Sequence, residues 1–289
     1  MEVITDPFGW WVEPFLLNPW MRNALWVSLL TAIATSSVGT WVVLRGMSFL
    51  GDALAHGVLP GVAIAFIIGV DPAIGAFVAA LAMVGGINLI RSRSRLPEDT
   101  AIGVFFVGFL ALAVVIMSSR SGSYVGDLNR FLFGSIAGVS DGDVARQAVA
   151  AGVAVVGVLI FYRPFLMLAF DETQARLLGM RPQLAHAVLL GLLALAIVVS
   201  FETVGNLLVF AFLVAPPATA SLLVRRVPMI MVTGVLIGAV SVVMGLLVSY
   251  HYGTAPGASM ALAVVVVFLV VLGLTSIRRT ATMGRVESA

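Results

Sequence analysis

Neither cysteine nor lysine occurs in the 289 residues of this chain. Without cysteine there are no thiolate metal sites, no disulfides and no thiol redox chemistry, and the redox compartment leaves no mark on the sequence. Without lysine there is no Schiff-base chemistry and no P-loop, whose glycine-rich turn needs a lysine on the phosphates. The chain therefore does not hydrolyse ATP by that route. Charge of either sign is scarce as well: 10% of residues are charged, against roughly 25% in a soluble domain. In its place 61% of residues are hydrophobic and mean hydropathy is +1.11. These values describe a polytopic, all-α transmembrane helix bundle. No stretch is long or polar enough for a second domain.

A helix needs about 20 apolar residues to cross the hydrocarbon core. Nine stretches qualify or nearly do, at residues 24–44, 47–70, 72–90, 101–117, 144–161, 184–201, 204–224, 229–250 and 257–274. A tenth, 128–139, is too short to span and reads as re-entrant or as a broken helix. Four arginine groups orient the set: Arg91, Arg93 and Arg95; Arg163, Arg176 and Arg181; Arg225 and Arg226; Arg278 and Arg279. Nine crossings place all four on the cytoplasmic side, with the N-terminus outside and the C-terminus inside. Arg120 is the exception. Residues 1–20 lack a basic n-region and carry Glu2, Asp6 and Glu13, so they do not read as a cleaved signal. Trp10, Trp11 and Trp20 instead mark an amphipathic interfacial segment. The expected organisation is this segment at 1–20, a membrane domain at 21–275 and a polar, disordered cytoplasmic tail at 276–289. No internal repeat is evident.

Asp52 and His56 are the chief candidates for chemistry. They stand four residues apart in G51-D-A-L-A-H-G-V-L-P-G61, near the middle of the second stretch. That spacing puts both on one helix face. Ionisable groups inside a bilayer are costly and mark paths or sites, although a structural ion pair is the plainer alternative. One oxygen and one nitrogen donor suit a divalent transition metal. Gly51, Gly57, Pro60 and Gly61 flank the pair, so the span can break there and free backbone carbonyls. Two ligands are too few for a permanent metal, since structural zinc takes four. They fit a transient site, completed by water or by a second copy of the chain.

Three other titratable residues lie in or beside apolar stretches. Glu202, in F201-E-T-V-G-N206, is either an exposed outer turn or a point of cation entry. His186 is expected to snorkel from the cytoplasmic start of its helix. His251, in S249-Y-H-Y-G253, reads as an interfacial anchor, with docking of an external partner as the second reading. The cytoplasmic run F170-D-E-T-Q-A-R-L-L-G-M-R-P182 predicts a two-turn helix, with Asp171 as cap, Glu172 on the dipole, and Gly179 and Pro182 as terminators. Its apolar Leu177, Leu178 and Met180 suggest a surface covered by another protein. The paired prolines of L213-V-A-P-P-A-T-A-S221 point to close helix packing at a dimer seam or gate.

Together these motifs resemble the permease subunits of ATP-binding-cassette importers for zinc, manganese and iron, from about Met21 to Leu274. The carriers are V43-L-R-G-M-S-F-L-G-D-A-L-A-H-G-V-L-P-G-V-A63, F170-D-E-T-Q-A-R-L-L-G179, V204-G-N-L-L-V-F-A-F-L-V-A-P-P-A-T-A220, and G245-L-L-V-S-Y250 with Pro256–Gly257. The resemblance implies a non-enzymatic transporter subunit in the inner (plasma) membrane, paired as a homodimer around a pore. It implies separate ATPase subunits gripping Asp171, Glu172, Ala175, Arg176, Leu178 and Gly179. An external metal-binding protein would dock near 122–127 and 250–257. It also implies that Asp52 and His56 line the ion path, with Glu202 as a further metal candidate outside the family pattern. No resident cofactor and no nucleic-acid partner are expected; zinc is the first choice of cargo, then manganese or iron. Gly57 stands where the family usually has Ala, which is expected to loosen the span beside the site, and Pro217 stands where Ala is more typical. The rival readings are a secondary transporter driven by an ion gradient and a non-transporting membrane scaffold. An enzyme working alone is disfavoured, because no nucleophile–base pair or closed metal site is visible.

Overall fold

The computed structural model describes residues 7–93, 97–118, 136–170, 172–177 and 179–286. Among them every regular element is helical. Two short helices, α1 (Pro7–Trp11) and α2 (Glu13–Leu17), precede α3 (Pro19–Leu44), α4 (Ser48–Gly57), α5 (Leu59–Ile68), α6 (Pro72–Arg93) and α7 (Glu98–Ser118). A 3-10 turn, Ile136–Gly138, leads into α8 (Asp141–Ile160), α9 (Tyr162–Phe170) and α10 (Glu172–Leu177). The chain ends with α11 (Pro182–Val204), α12 (Asn206–Leu223), α13 (Val227–Tyr252) and α14 (Pro256–Val286). Nine helices of the described residues are long and apolar enough to cross a membrane, with α4 and α5 counted together as Ser48–Ile68. They coincide with the nine expected stretches. Of the short segment 128–139, residues 128–135 lie outside the described residues.

The second stretch is broken, as its glycines and proline allow. α4 ends at Gly57 and α5 starts at Leu59, with Pro60 in its first turn. Proline has no N–H to give the carbonyl one turn back, which here belongs to His56. The tail differs from expectation: α14 continues to Val286 rather than ending near Thr275. Ala281 and Met283 are good helix formers, no proline intervenes, and extending an existing helix avoids the nucleation penalty.

Lipid is as apolar as leucine, so helices in a bilayer associate through small residues, close packing and hydrogen bonds. α3 is the hub and packs on α8, α11, α12 and α13. Ser28, Thr31, Thr35, Ser36 and Thr40 line it and are all buried. Two of their hydroxyls turn back on their own helix, Thr35 Oγ1 donating to the Thr31 carbonyl at 2.7 Å and Thr40 Oγ1 to Ser36 at 2.8 Å.

Pro216 and Pro217 lie inside α12 and cannot donate to the carbonyls of Phe212 and Leu213. α3 meets both. Ser36 Oγ donates to the Phe212 carbonyl at 3.4 Å. Gly39 lets the Leu213 carbonyl approach so closely that a Cβ there would lie 2.0 Å from its oxygen. On the other side Gly234 of α13 sits beside Pro217. Both prolines of the pair are buried, with Gly234 and Gly238 of α13 beside them. A second layer joins α4 and α5 to α6, α7 and α11. There Gly61 and Gly75 face each other backbone to backbone, and Val58, Leu59 and Val62 pack with Ala194, Val198 and Phe201.

Candidate functional site

Asp52 and His56 occupy successive turns of α4, on the face turned towards α7. His56 Nδ1 is 3.4 Å from Asp52 Oδ1 and 3.1 Å from the Asp52 carbonyl oxygen. The Phe106 ring of α7 stands edge-on to the imidazole at 5.8 Å, backed by Phe49 at 5.6 Å. This fixes the ring with Nδ1 towards the carboxylate and Nε2 on its far side, an arrangement that orients a ligand nitrogen. His56 keeps 26% and Asp52 30% of its side-chain surface exposed. The pair therefore lies on a flank of the chain, not sealed in its core.

Two glycine notches set the depth of α4. A Cβ on Gly51 would fall 2.2 Å from Leu213 Cδ2, and one on Gly57 would fall 2.2 Å from Met83 Sδ. At Gly57, where α4 ends, the Met83 thioether fills the space that an alanine methyl would take. Thioethers are flexible enough to fill such gaps. Leu213 is wedged between α3 and α4, so the helix that carries the proline pair also supports the candidate metal helix.

Glu202 falls in the last turn of α11, three residues before Gly205, so it belongs to a helix rather than a loop. Its side chain lies outside the described residues. Among the described residues no three His, Cys, Asp or Glu groups come together, and Asp52 with His56 forms a two-donor pair.

The expected short helix between two spanning helices is present as α10, Glu172–Leu177. Asp171, Leu178 and the Glu172 side chain lie outside the described residues. Gly179, at φ +72°, closes the helix: its N–H donates to the Arg176 carbonyl at 3.1 Å and the Met180 N–H to Ala175 at 3.0 Å. This is a Schellman cap. Ala175 is buried, whereas Arg176 is exposed and Leu177 is 82% exposed. A crevice of about 330 Å³ runs beside it, walled by Phe161, Pro164, Met180 and Pro182.

His186 does not snorkel. It is fully buried, and its Nδ1 accepts a hydrogen bond from Arg45 Nη1 at 2.6 Å. A side chain with a partly buried charged donor on hand has no reason to leave the bundle. His251 stacks on Trp10, 4.4 Å between centroids and 7° between planes, and its Nε2 donates to the Trp10 carbonyl at 3.1 Å. Asn18 Nδ2 adds a bond to Tyr250 Oη at 3.3 Å. These contacts tie the tryptophan-bearing N-terminal segment to the end of α13. The other suggested docking loop, 122–127, lies outside the described residues.

The model of the ABC 3 transport family matches residues 18–275. The chain belongs to that family. This bears out the resemblance to permeases of ATP-binding-cassette metal importers. Relatives in the ABC 3 transport family include the manganese transport system membrane protein MntC of Listeria monocytogenes, 36% identical over 90% of this chain and 92% of that one. The manganese import system permease protein ScaB of Streptococcus parasanguinis is 38% identical, over 86% and 89%. A probable iron transport system membrane protein of Haemophilus influenzae is 33% identical, over 94% and 99%. A chain of the PsaBC complex from Streptococcus pneumoniae, solved with a Fab, shares the fold with a TM-score of 0.80 at 34% identity, covering 90% of this chain and 94% of that chain. Against this ABC 3 frame, the side chain that a reading of the sequence passes over is Arg45. It closes V43-L-R, seven residues before Asp52, and only its distant partner reveals its place.

Proposed function

We propose that this chain is the membrane permease of an ATP-driven importer of divalent transition-metal ions, acting as a homodimer, with ions passing Asp52 and His56. One observation carries the reading: a carboxylate and an imidazole, each a quarter to a third exposed, lie within a membrane span of the protomer. Facing hydrocarbon, a single such charge costs about 2.5 kcal/mol or more. A second copy covering the pair removes the cost and brings another Asp52–His56 pair, for four nitrogen and oxygen donors.

Manganese moves ahead of iron and zinc as the proposed cargo. The donor set lacks thiolate, which leaves all three open, and several relatives are named for manganese. Asp52 supplies the anionic oxygen and His56 the Nε2 nitrogen. Incomplete ligation by each chain suits transport, because the ion must leave as well as bind. Separate ATPase subunits would cover α10, where Arg176 offers charge and Leu177 an apolar contact. An external metal-binding protein would deliver the ion at the opposite face, near Tyr250 and Gly253. The arginine clusters support an outer N-terminus and a cytoplasmic C-terminus in the plasma membrane.

The test is ATP-driven uptake by proteoliposomes holding the permease, its ATPase and its binding protein, with Mn²⁺, Fe²⁺ and Zn²⁺ offered side by side. Uptake of Mn²⁺ should lead. His56→Ala should reduce it by more than the ~10–100-fold that loss of an outer-sphere partner of a metal ligand costs. Equal uptake by the variant would move the site elsewhere. Uptake that follows an ion gradient and ignores ATP would favour a secondary transporter.

A further inference from the structure

The Arg45–His186 hydrogen bond joins two parts of the chain that the proposed cycle must move together. Arg45 is the C-cap of α3, where the helix dipole favours a cation. The next residue, Gly46, has φ +70°, and the Met47 N–H returns to the Val42 carbonyl at 3.0 Å. This cap reverses the chain at once into α4, which carries Asp52 and His56. His186 lies on α11, four residues after Pro182, the residue that opens the helix. Just before it, the capped turn at Gly179 leads back to α10, which touches α11 and whose Ala175 is buried. From α10 to Asp52 the bonded or packed path is therefore α10, the first turns of α11, His186, Arg45, the Gly46 turn and α4.

The chemistry of the bond is specific. A guanidinium only donates, so His186 Nδ1 must be an unprotonated acceptor. The imidazole is fully buried and the distance is 2.6 Å, and a hydrogen bond from an ionised donor belongs to the stronger class. Neither side chain belongs to the Asp52–His56 pair.

We propose that Arg45 and His186 are positioning residues that transmit movement of the ATPase-facing helix α10 to the metal-bearing helix α4. This rests on the ATP-driven reading above. In the assembled complex in nanodiscs, amide hydrogen exchange across residues 47–52 should change on adding ATP with vanadate. In His186→Leu the change should stop at residues 172–185, while His186→Gln, which keeps an acceptor, restores it. In proteoliposomes His186→Leu should lower metal uptake per ATP hydrolysed by ~10-fold, with the Mn²⁺ concentration for half-maximal uptake unchanged, and His186→Gln should recover to within about twofold of wild type. A merely structural histidine predicts equal losses for Leu and Gln, or lost assembly in both. Either result overturns the proposal, as does a nucleotide response at 47–52 that survives His186→Leu. A chain that binds no ATPase refutes the importer reading and this one with it. A chain that binds ATPase and takes up metal, yet shows no response at 47–52, refutes this one alone.

Discussion

Gly39→Ala should be among the most damaging single-methyl changes in the molecule. The added Cβ would lie 2.0 Å from the Leu213 oxygen, 2.9 Å from its carbonyl carbon and 3.2 Å from its Cα. All three are backbone atoms, so no rotamer relieves the clash and α3 must part from α12. Overpacking of this kind costs about 1–3 kcal/mol and sometimes more, and the backbone location puts it at the upper end. Alanine returns about 1 kcal/mol in helix propensity over glycine. A net loss of roughly 2 kcal/mol corresponds to a fall of about 4–8 °C in Tm for a chain of this size class. Gly57→Ala meets only the Met83 thioether, which can swing aside, and Gly152→Ala meets nothing within 4 Å. The three variants, purified in one detergent and heated with intrinsic tryptophan fluorescence as readout, should rank Gly39→Ala well below Gly57→Ala and Gly57→Ala below Gly152→Ala. A Gly39→Ala protein that melts with Gly152→Ala would refute the claim that this contact holds α3 on α12.

Ser36→Ala strips the Phe212 carbonyl of its donor and should lower stability by about 1–3 kcal/mol, the cost of an unmet buried acceptor, read from the same melting curves. Gln147 Nε2 donates to Ser200 Oγ at 2.9 Å between α8 and α11, both side chains buried. Ser200→Ala alone should cost about 1–3 kcal/mol, whereas Ser200→Ala with Gln147→Leu should recover most of it, because an apolar pair leaves nothing unsatisfied; a double-mutant cycle decides. His251→Leu removes the stacking partner and the donor that hold Trp10, so limited proteolysis should cut residues 7–17 faster than in wild type. In the transport assay, Gly57→Ala with Met83→Ala should outperform Gly57→Ala alone, since the smaller residue at 83 reopens the notch behind His56.

Much of the membrane plan is legible in the sequence because hydropathy is a local property. Each of the nine apolar stretches carries one span, and the break of the second beside Gly57 and Pro60 is written in those two residues. The Asp52–His56 pair is legible for the same reason, its geometry being one helical turn. What escapes is long-range. His186 reads as an interfacial side chain because it follows an arginine-rich loop and a proline; its partner stands 141 residues earlier. Gly57 reads as slack until Met83 is placed against it. The proline pair signals freed carbonyls, but not that Ser36 and Gly39 of the first spanning helix receive them. The helical run to Val286 escapes because hydropathy reports where a membrane ends, not where a helix does.

The bond from Ser36 to the Phe212 carbonyl closes a loop of 176 residues. On the ribosome, the first spanning helix emerges long before its mate, and it carries a row of serines and threonines with no place in oil. Thr35 and Thr40 hide their hydroxyls on their own backbone from the start. Ser36 and the space above Gly39 wait for α12, and the α12 carbonyls cannot be quieted until α3 is there to meet them. The contact between the seventh crossing and the first can form only once residues 206–223 are made, and a chain halted before residue 206 would leave the Ser36 and Gly39 face of α3 without its partner.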